Sequence, residues 1–346
     1  MANEFAFGFK ELLKYNRRTM SKTARTKTRN NPKKTKWLYP YSSEVKYRNM
    51  IRNQLGSQLK KIVDYKLEFS LPQWIKEKQR FDNTDDYVDE LNQLVIEQQK
   101  KMRELFGASD ELPAKSEMWN YVAESADATF EFNTKQWYKT TAGMLGFQFI
   151  TDTPWWNTDR NSWVSENYNL VKALGESYIN RVNVIINQGI QDGKTQTEIK
   201  KEVQDIYRKI FGPRLDRRMS RAELLVRDQI GRLNGLLTKR RFQSAGLNYY
   251  IWNTANDERV RGKPRGKYPK AIPSHWEMQG KICRWDNDTV YAEEGSLNAK
   301  GELLWKKRTY KMPKTIPGQE ILCRCNALIY WNEILKETDK EIENNG

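Results

Sequence analysis

The chain has 346 residues, a formal net charge of +16, one histidine and three cysteines. Its hydrophobic fraction of 38% lies below the roughly 45–50% of an average globular protein, and no apolar run reaches the roughly 18 residues that a membrane span needs. These values argue against a membrane protein and a disulfide-rich scaffold, and the length predicts two domains or one domain with a long extension.

The positive charge is concentrated at the beginning of the chain. Residues 1–66 contain 17 Lys and Arg against four acidic residues, a net charge of +13. This pattern predicts a basic flexible arm over residues 1–40, which attracts nucleic-acid phosphates by counterion release whatever the base sequence. A solubilising tail is the alternative. The candidate nucleic-acid contacts are Lys22, Arg25, Lys27, Arg29, Lys33, Lys34 and Lys36.

Amphipathic helices are predicted next, between residues 41 and 190. Apolar residues recur at three- and four-residue steps in 45–63 and again in 171–185. Between them lies a segment rich in Trp and Tyr, which serve either as core residues or as a surface for a partner. We therefore predict a helical, partner-binding region over residues 41–190.

The periodicity changes in the last part of the chain. TQTE at 195–198 and SRAE at 220–223 have the capping-box spacing that begins a helix. Short alternating segments rich in aromatic and β-branched residues then follow Gly246 and predict strands. The sequence thus predicts a small mixed α/β module over 195–335 and a polar tail over 336–346. The predicted fold class is α+β and predominantly α, with long helices in the first two-thirds.

The histidine and two of the cysteines lie in short polar segments of this module. His275 belongs to SHWEMQG, and the cysteines belong to PGQEILCRC. A structural zinc site is one interpretation, because zinc favours tetrahedral nitrogen and sulfur ligands. Paired zinc cysteines usually have more residues between them than the single one here. The candidate ligands are His275, Cys323 and Cys325, with Cys283 or Asp257 as the fourth.

Two further interpretations of these residues stay open. A catalytic constellation would pair Cys323 with His275 and use Asp257 to orient the imidazole, or would build a metal-dependent nuclease from Asp257, Glu258 and His275. A structural latch would instead fasten the last strand to the first. In that case the thiols pack as small apolar groups.

The order of these pieces resembles a known family. A long helix followed by W…DERVR…H…G…PG…CRC, over about residues 195–335, is similar to the phage Mu F-like head morphogenesis proteins, the minor head proteins of tailed bacteriophages. The family usually has its histidine only a few residues after RVR, whereas in this chain the basic segment 262–274 lies between them. That segment either adds a phosphate contact or simply extends a loop. The matching positions are Trp252, Asp257, Arg259, Arg261, His275, Gly280, Cys323, Arg324 and Cys325.

The resemblance implies a non-enzymatic, internal virion component that associates with the portal protein. It would contact packaged double-stranded DNA without base specificity and act in head assembly, genome packaging and ejection. Scaffolding protein or major capsid protein is a further expected partner. No association with a membrane is expected. The expected location is the phage head, after assembly in the host cytoplasm. No cofactor is expected apart from the zinc considered above. The alternatives are a metal-dependent nuclease and a zinc-stabilised DNA-binding protein.

Overall fold

The computed structural model describes residues 37–80, 85–107, 116–145, 152–213 and 218–331. In these ranges long helices precede a few short antiparallel strands, which confirms the predicted α+β, mainly α class. Every helix in them is too short or too polar to cross a lipid bilayer. The arm positions from Lys22 to Lys36 and the polar tail lie outside the described residues.

The helices and strands have the following bounds. The helices are α1 (Tyr41–Met50), α2 (Ser57–Phe69), α3 (Leu71–Arg80), α4 (Asp85–Phe106), α5 (Glu117–Leu145), α6 (Trp156–Gln191), α7 (Gln196–Ile210) and α8 (Arg221–Ser244). A π-helical turn, Ile51–Gly56, joins α1 to α2. The strands are β1 (Tyr249–Asn253), β2 (Ile282–Arg284), β3 (Val290–Tyr291), β4 (Lys306–Lys307) and β5 (Asn326–Ile329).

The π-helical turn follows from the spacing of the apolar residues. Six buried side chains from α1 to α2 are separated by four residues each, whereas an α-helix repeats every 3.6 residues. A four-residue stripe therefore drifts around an α-helix, and the wider π turn reduces this drift. The six residues are Tyr47, Ile51, Leu55, Leu59, Val63 and Leu67.

Packing divides the chain into two compact units, each built from segments that are distant in sequence. Of the described residues, the helical unit contains those within 41–128 and 158–229, and the mixed unit contains those within 37–40, 129–157 and 230–331. Helices α5, α6 and α8 contribute residues to both. The domain boundaries that the sequence predicts near residues 40, 190 and 335 remain predictions.

Both predicted capping boxes form in the helical unit. The Thr195 hydroxyl accepts from the backbone N–H of Glu198 at 3.3 Å, and the Glu198 carboxylate accepts from the Thr195 N–H at 2.8 Å. Ser220 and Glu223 exchange the same two bonds, each at 3.3 Å. These bonds satisfy backbone donors that a helix start would otherwise leave unpaired.

The mixed unit is organised around β1, the central strand of an antiparallel sheet in the order β2-β1-β5. Its buried residues Tyr250 and Trp252 point into a core that includes Phe242 of α8. The alternate residues, Tyr249 and Ile251, pack against a smaller cluster on the other face. Strand β2, Ile282–Arg284, was not among the strands predicted from the sequence.

Helix α8 approaches the Pro317–Gly318 turn closely enough to require glycine. A Cβ on Gly231 would lie 2.9 Å from the carbonyl oxygen of Cys323, and one on Gly235 would overlap the carbonyl oxygen of Pro317. Gly318 has a φ of +91°, in the left-handed region that favours glycine. This backbone contact holds the CRC segment against α8.

Candidate functional site

The single histidine and two of the cysteines meet in the mixed unit, and we call His275, Cys323 and Cys325 the His–Cys cluster. His275 Nδ1 lies 3.3 Å from the Sγ atom of Cys325 and 3.4 Å from that of Cys323. All three side chains are buried, with exposures of 4–6%. Their ligand atoms lie within 4.8 Å of one another, close enough for all three to reach one metal ion.

Local backbone geometry explains why both thiols point to the histidine. Side chains at i and i+2 of an extended chain lie on the same side, so Cys323 and Cys325 face one way and Arg324 the other. Cys325 immediately precedes β5, which pairs with β1. At the end of β1, the Trp252 indole contacts the His275 ring edge to face, with centroids 5.9 Å apart.

The loop that carries His275 is itself fastened to β1. The backbone N–H of Gly280 donates to the carbonyl oxygen of Trp252 at 2.8 Å, and the Trp252 N–H donates to that of Lys281 at 2.8 Å. Gly280 has a φ of +76°. The geometry therefore joins the histidine loop, the first strand and the CRC segment.

A carboxylate and an arginine complete the surroundings of the histidine. The Nε2 atom of His275 lies 3.3 Å from the Oε2 atom of Glu320, which also accepts from Arg261 at 3.0 Å. On the opposite side of the CRC segment, Arg324 donates to Asp257 at 2.6 Å. Arg259 contacts the same Asp257 carboxylate at 3.2 Å.

The cluster favours one thiolate paired with a charged imidazole. Burial alone would lower the pKa of His275, but hydrogen bonds to Cys323 and Glu320 raise it to about 9. A hydrogen bond from Cys325, aided by His275, holds the pKa of the Cys323 thiol well below its usual value despite burial. Burial, with the neighbouring Cys323, raises the pKa of Cys325. Negative charge is therefore concentrated on the Cys323 sulfur.

Cys283 and Asp257, the two candidates for a fourth zinc ligand, both lie outside the His–Cys cluster. Cys283 is on β2 opposite Tyr250, whereas the cluster lies beyond the other end of β1. Burial there raises the pKa of the Cys283 thiol to about 11. Although burial favours the protonated form of Asp257, Arg324 and Arg259 hold its pKa below the usual value. The four-ligand sets considered from the sequence are therefore not assembled.

The catalytic arrangements considered from the sequence also need correction. Glu320, not Asp257, is the carboxylate that contacts the imidazole, because the Asp257 side chain is engaged by two arginines. Asp257, Glu258 and His275 do not form a common metal-binding group within the described residues. Sequence reasoning missed Glu320. Its position three residues before Cys323, in the same polar segment, was the available signal.

The basic segment after RVR forms an exposed loop. Arg265, Lys267 and Lys270 are exposed, and Tyr268 between them keeps 48% of its surface accessible. Lys263, at the start of this loop, donates a hydrogen bond to the carbonyl oxygen of Asn256 at 2.7 Å. We call residues 263–270 the basic loop. Its exposed cations can contact a polyanion without displacing core residues.

The predicted arm joins the mixed unit at a buried residue. Trp37, the first described residue, is 2% exposed and packs edge to face with Phe242, with ring centroids 6.1 Å apart. Its carbonyl oxygen accepts from the Asn326 side chain at 3.4 Å. Residues 37–40, the last four of the predicted arm, are therefore part of the same unit as the basic loop and the His–Cys cluster.

Comparison with known proteins gives a family match and a relative, and no solved structure matches the chain. Residues 180–328 match the family model described as Phage Mu protein F like protein. An uncharacterized protein of Haemophilus influenzae is 24% identical over 225 residues, which cover 65% of this chain and 41% of that protein. This chain thus spans about two fifths of that relative's length. The matched residues include the whole His–Cys cluster, and the match supports the resemblance of this part of the chain to the phage Mu F-like family.

Proposed function

We propose that the protein is a minor head protein of a tailed bacteriophage, located inside the virion, where it associates with the portal and contacts packaged DNA. The observation that carries the proposal is that a family region and a segment of net charge +13 occur in one chain. Trp37 of the charged segment is buried and packs against Phe242 of the family region. In this role the protein acts by binding, without turnover, during head assembly, genome packaging and ejection.

DNA contact is supported by the distribution of cations. The seven arm positions from Lys22 to Lys36 and the exposed residues of the basic loop supply positive charge from two separate stretches of sequence. Contacts to phosphates position a protein on a duplex but carry no sequence information. A protein that must hold genomic DNA of any sequence needs only such contacts.

Neutralising these cations should flatten the salt dependence of DNA binding. Each phosphate that a cation neutralises contributes about 0.9 to the slope of log affinity against log salt, so each cation removed from the DNA surface should reduce the slope by about that amount. We expect this reduction when the seven arm residues are replaced by glutamine, and a smaller one for Arg265→Gln/Lys267→Gln/Lys270→Gln. Fluorescence anisotropy with a labelled duplex at several salt concentrations measures the slope.

The matched control is Lys100→Gln/Lys201→Gln/Lys209→Gln, which removes three exposed lysines from helices of the other unit. We expect the control to keep the slope of the unmodified protein. Absence of DNA binding by the wild-type protein at low salt would contradict the proposed DNA contact. An arm variant with an unchanged slope would contradict the role assigned to the arm.

Portal association is supported by exposed aromatic residues in the helical unit. Tyr65 and Phe69 lie one turn apart on α2, with ring centroids 4.9 Å apart and exposures of 60% and 67%. Large aromatic side chains are enriched at the centres of protein interfaces. We assign this pair to the surface that contacts the portal protein.

Tyr65→Ala/Phe69→Ala should therefore abolish co-purification with a co-expressed portal protein. The fold should tolerate the change, because exposed substitutions usually alter stability by no more than about 0.5 kcal/mol. Tyr310→Ala is the matched control, since Tyr310 is 74% exposed in the mixed unit, and it should retain the portal. Absence of the complex with the wild-type chain would overturn portal association, and retention by the double variant would overturn the assigned surface.

A further inference from the structure

We propose that the His–Cys cluster binds one Zn²⁺ ion through His275 Nδ1 and the sulfur atoms of Cys323 and Cys325, with a solvent molecule completing the tetrahedron. The proposal goes beyond the proposed function, which requires no metal. It rests on the positions of the ligand atoms and on the groups that surround them.

The distances between the ligand atoms suit tetrahedral zinc. Zn–N bonds of about 2.0–2.1 Å and Zn–S bonds of about 2.3 Å place the nitrogen and sulfur ligands about 3.5 Å apart. His275 Nδ1 is 3.3 Å and 3.4 Å from the two sulfur atoms. An ion could therefore enter with small side-chain adjustments and no change in the course of the backbone.

The second nitrogen of the imidazole has the partner that a metal-bound histidine usually has. Such a ring donates its other N–H to a carboxylate or carbonyl, which fixes the tautomer that leaves the ligand nitrogen unprotonated. Glu320 lies 3.3 Å from Nε2, and Arg261 holds that carboxylate at 3.0 Å. The pair would orient the ring with Nδ1 towards the two sulfur atoms.

Backbone donors also point at one of the sulfur ligands. The N–H groups of Gly318 and Cys325 each lie 3.4 Å from the Sγ atom of Cys323. N–H donors stabilise negative charge on the acceptor, and zinc binds the thiolate rather than the thiol. Within the described ranges three ligand atoms converge, so the fourth position is assigned to solvent.

Binding would release protons and link distant parts of the chain. Both thiols and the imidazole must coordinate in their deprotonated forms, so the protons they carry in the metal-free cluster pass to solvent. The ligands are separated by 48 and 50 positions in sequence. Zinc would therefore connect the histidine loop to the segment leading into β5.

The three cysteines provide a matched test, because all three are buried and none is in a disulfide. Full-length wild-type protein and the Cys283→Ala, Cys323→Ala and Cys325→Ala variants would be exposed to zinc, desalted and analysed by mass spectrometry for metal. We expect stoichiometric zinc in the wild type and Cys283→Ala, and its loss from the other two. A metal-free wild type, or loss of zinc only from Cys283→Ala, would overturn the assignment.

Cobalt substitution keeps the test decisive where a ligand variant fails to fold. Bound to thiolates, Co²⁺ gives a sulfur-to-metal charge-transfer band in the near ultraviolet, which the wild type and Cys283→Ala should both show. Glu320→Gln should retain the band but bind zinc about 10–100-fold more weakly, as is typical when a partner of a ligand is changed. Absence of the band from cobalt-treated wild type would refute thiolate coordination.

Discussion

Gly235→Ala is expected to destabilise the protein by about 2 kcal/mol, although the same change in an ordinary helix is stabilising. Helix propensity alone favours alanine over glycine by about 1 kcal/mol. In α8, however, the new methyl group would overlap the carbonyl oxygen of Pro317. Backbone atoms cannot rotate away as a flexible side chain can, so the helix and the turn must separate. Overpacking typically costs about 1–3 kcal/mol, and a backbone overlap should lie at the upper end. After the gain of about 1 kcal/mol in helix propensity, about 2 kcal/mol of destabilisation remains.

Denaturant unfolding of the full chain measures this effect, and the sign of the change is the test. Lys239→Ala is the control, because Lys239 lies on the same helix and is only half-buried; its effect should stay within about 0.5 kcal/mol. A Gly235→Ala variant that is more stable than the wild type would mean that α8 and the Pro317–Gly318 turn are not in close contact.

Asn133→Ala should cost about 3 kcal/mol, because it removes the partner of a buried charge. Arg241 is 1% exposed, and its Nε atom donates to the Asn133 side chain at 2.8 Å. Its guanidinium also donates to the Thr134 hydroxyl and lies over the Phe130 ring, 4.9 Å from the centroid. Burial lowers the pKa of Arg241 to about 10, which leaves it charged at neutral pH.

The asparagine also connects three elements of the mixed unit. Its amide donates to the Asn234 side chain at 3.1 Å and to the Thr238 hydroxyl at 2.9 Å. Asn234 in turn donates to Asn326 at 3.3 Å, so the network runs from α5 through α8 to β5. Removing one partner of a buried charge typically costs about 3–5 kcal/mol, whereas replacing both with apolar groups often costs much less.

A double-mutant cycle separates the charge from the packing. We expect Asn133→Ala/Arg241→Met to be less destabilised than the sum of the two single variants, because no charge is left unpaired. Asn120→Ala, at an exposed position of α5, is the control and should change the unfolding free energy by no more than about 0.5 kcal/mol. Additive effects of the two single changes would contradict the importance of the hydrogen bond.

The sequence alone predicted the features that depend on neighbouring residues. The capping boxes at Thr195 and Ser220 involve groups three residues apart. The ordered motif from Trp252 to Cys325 was also sufficient to recognise the family. Each of these features depends on the spacing of residues along the chain, which can be read directly from the sequence.

Only the tertiary structure decided which distant groups meet. It placed Glu320 beside His275, assigned Asp257 to two arginines and left Cys283 on another part of the sheet. It also showed why α8 needs glycine at position 235. These outcomes depend on strand order, register and helix approach, which arise from contacts between segments tens of residues apart. Residue type and spacing do not determine them, because one pattern is compatible with several ways of packing the same elements.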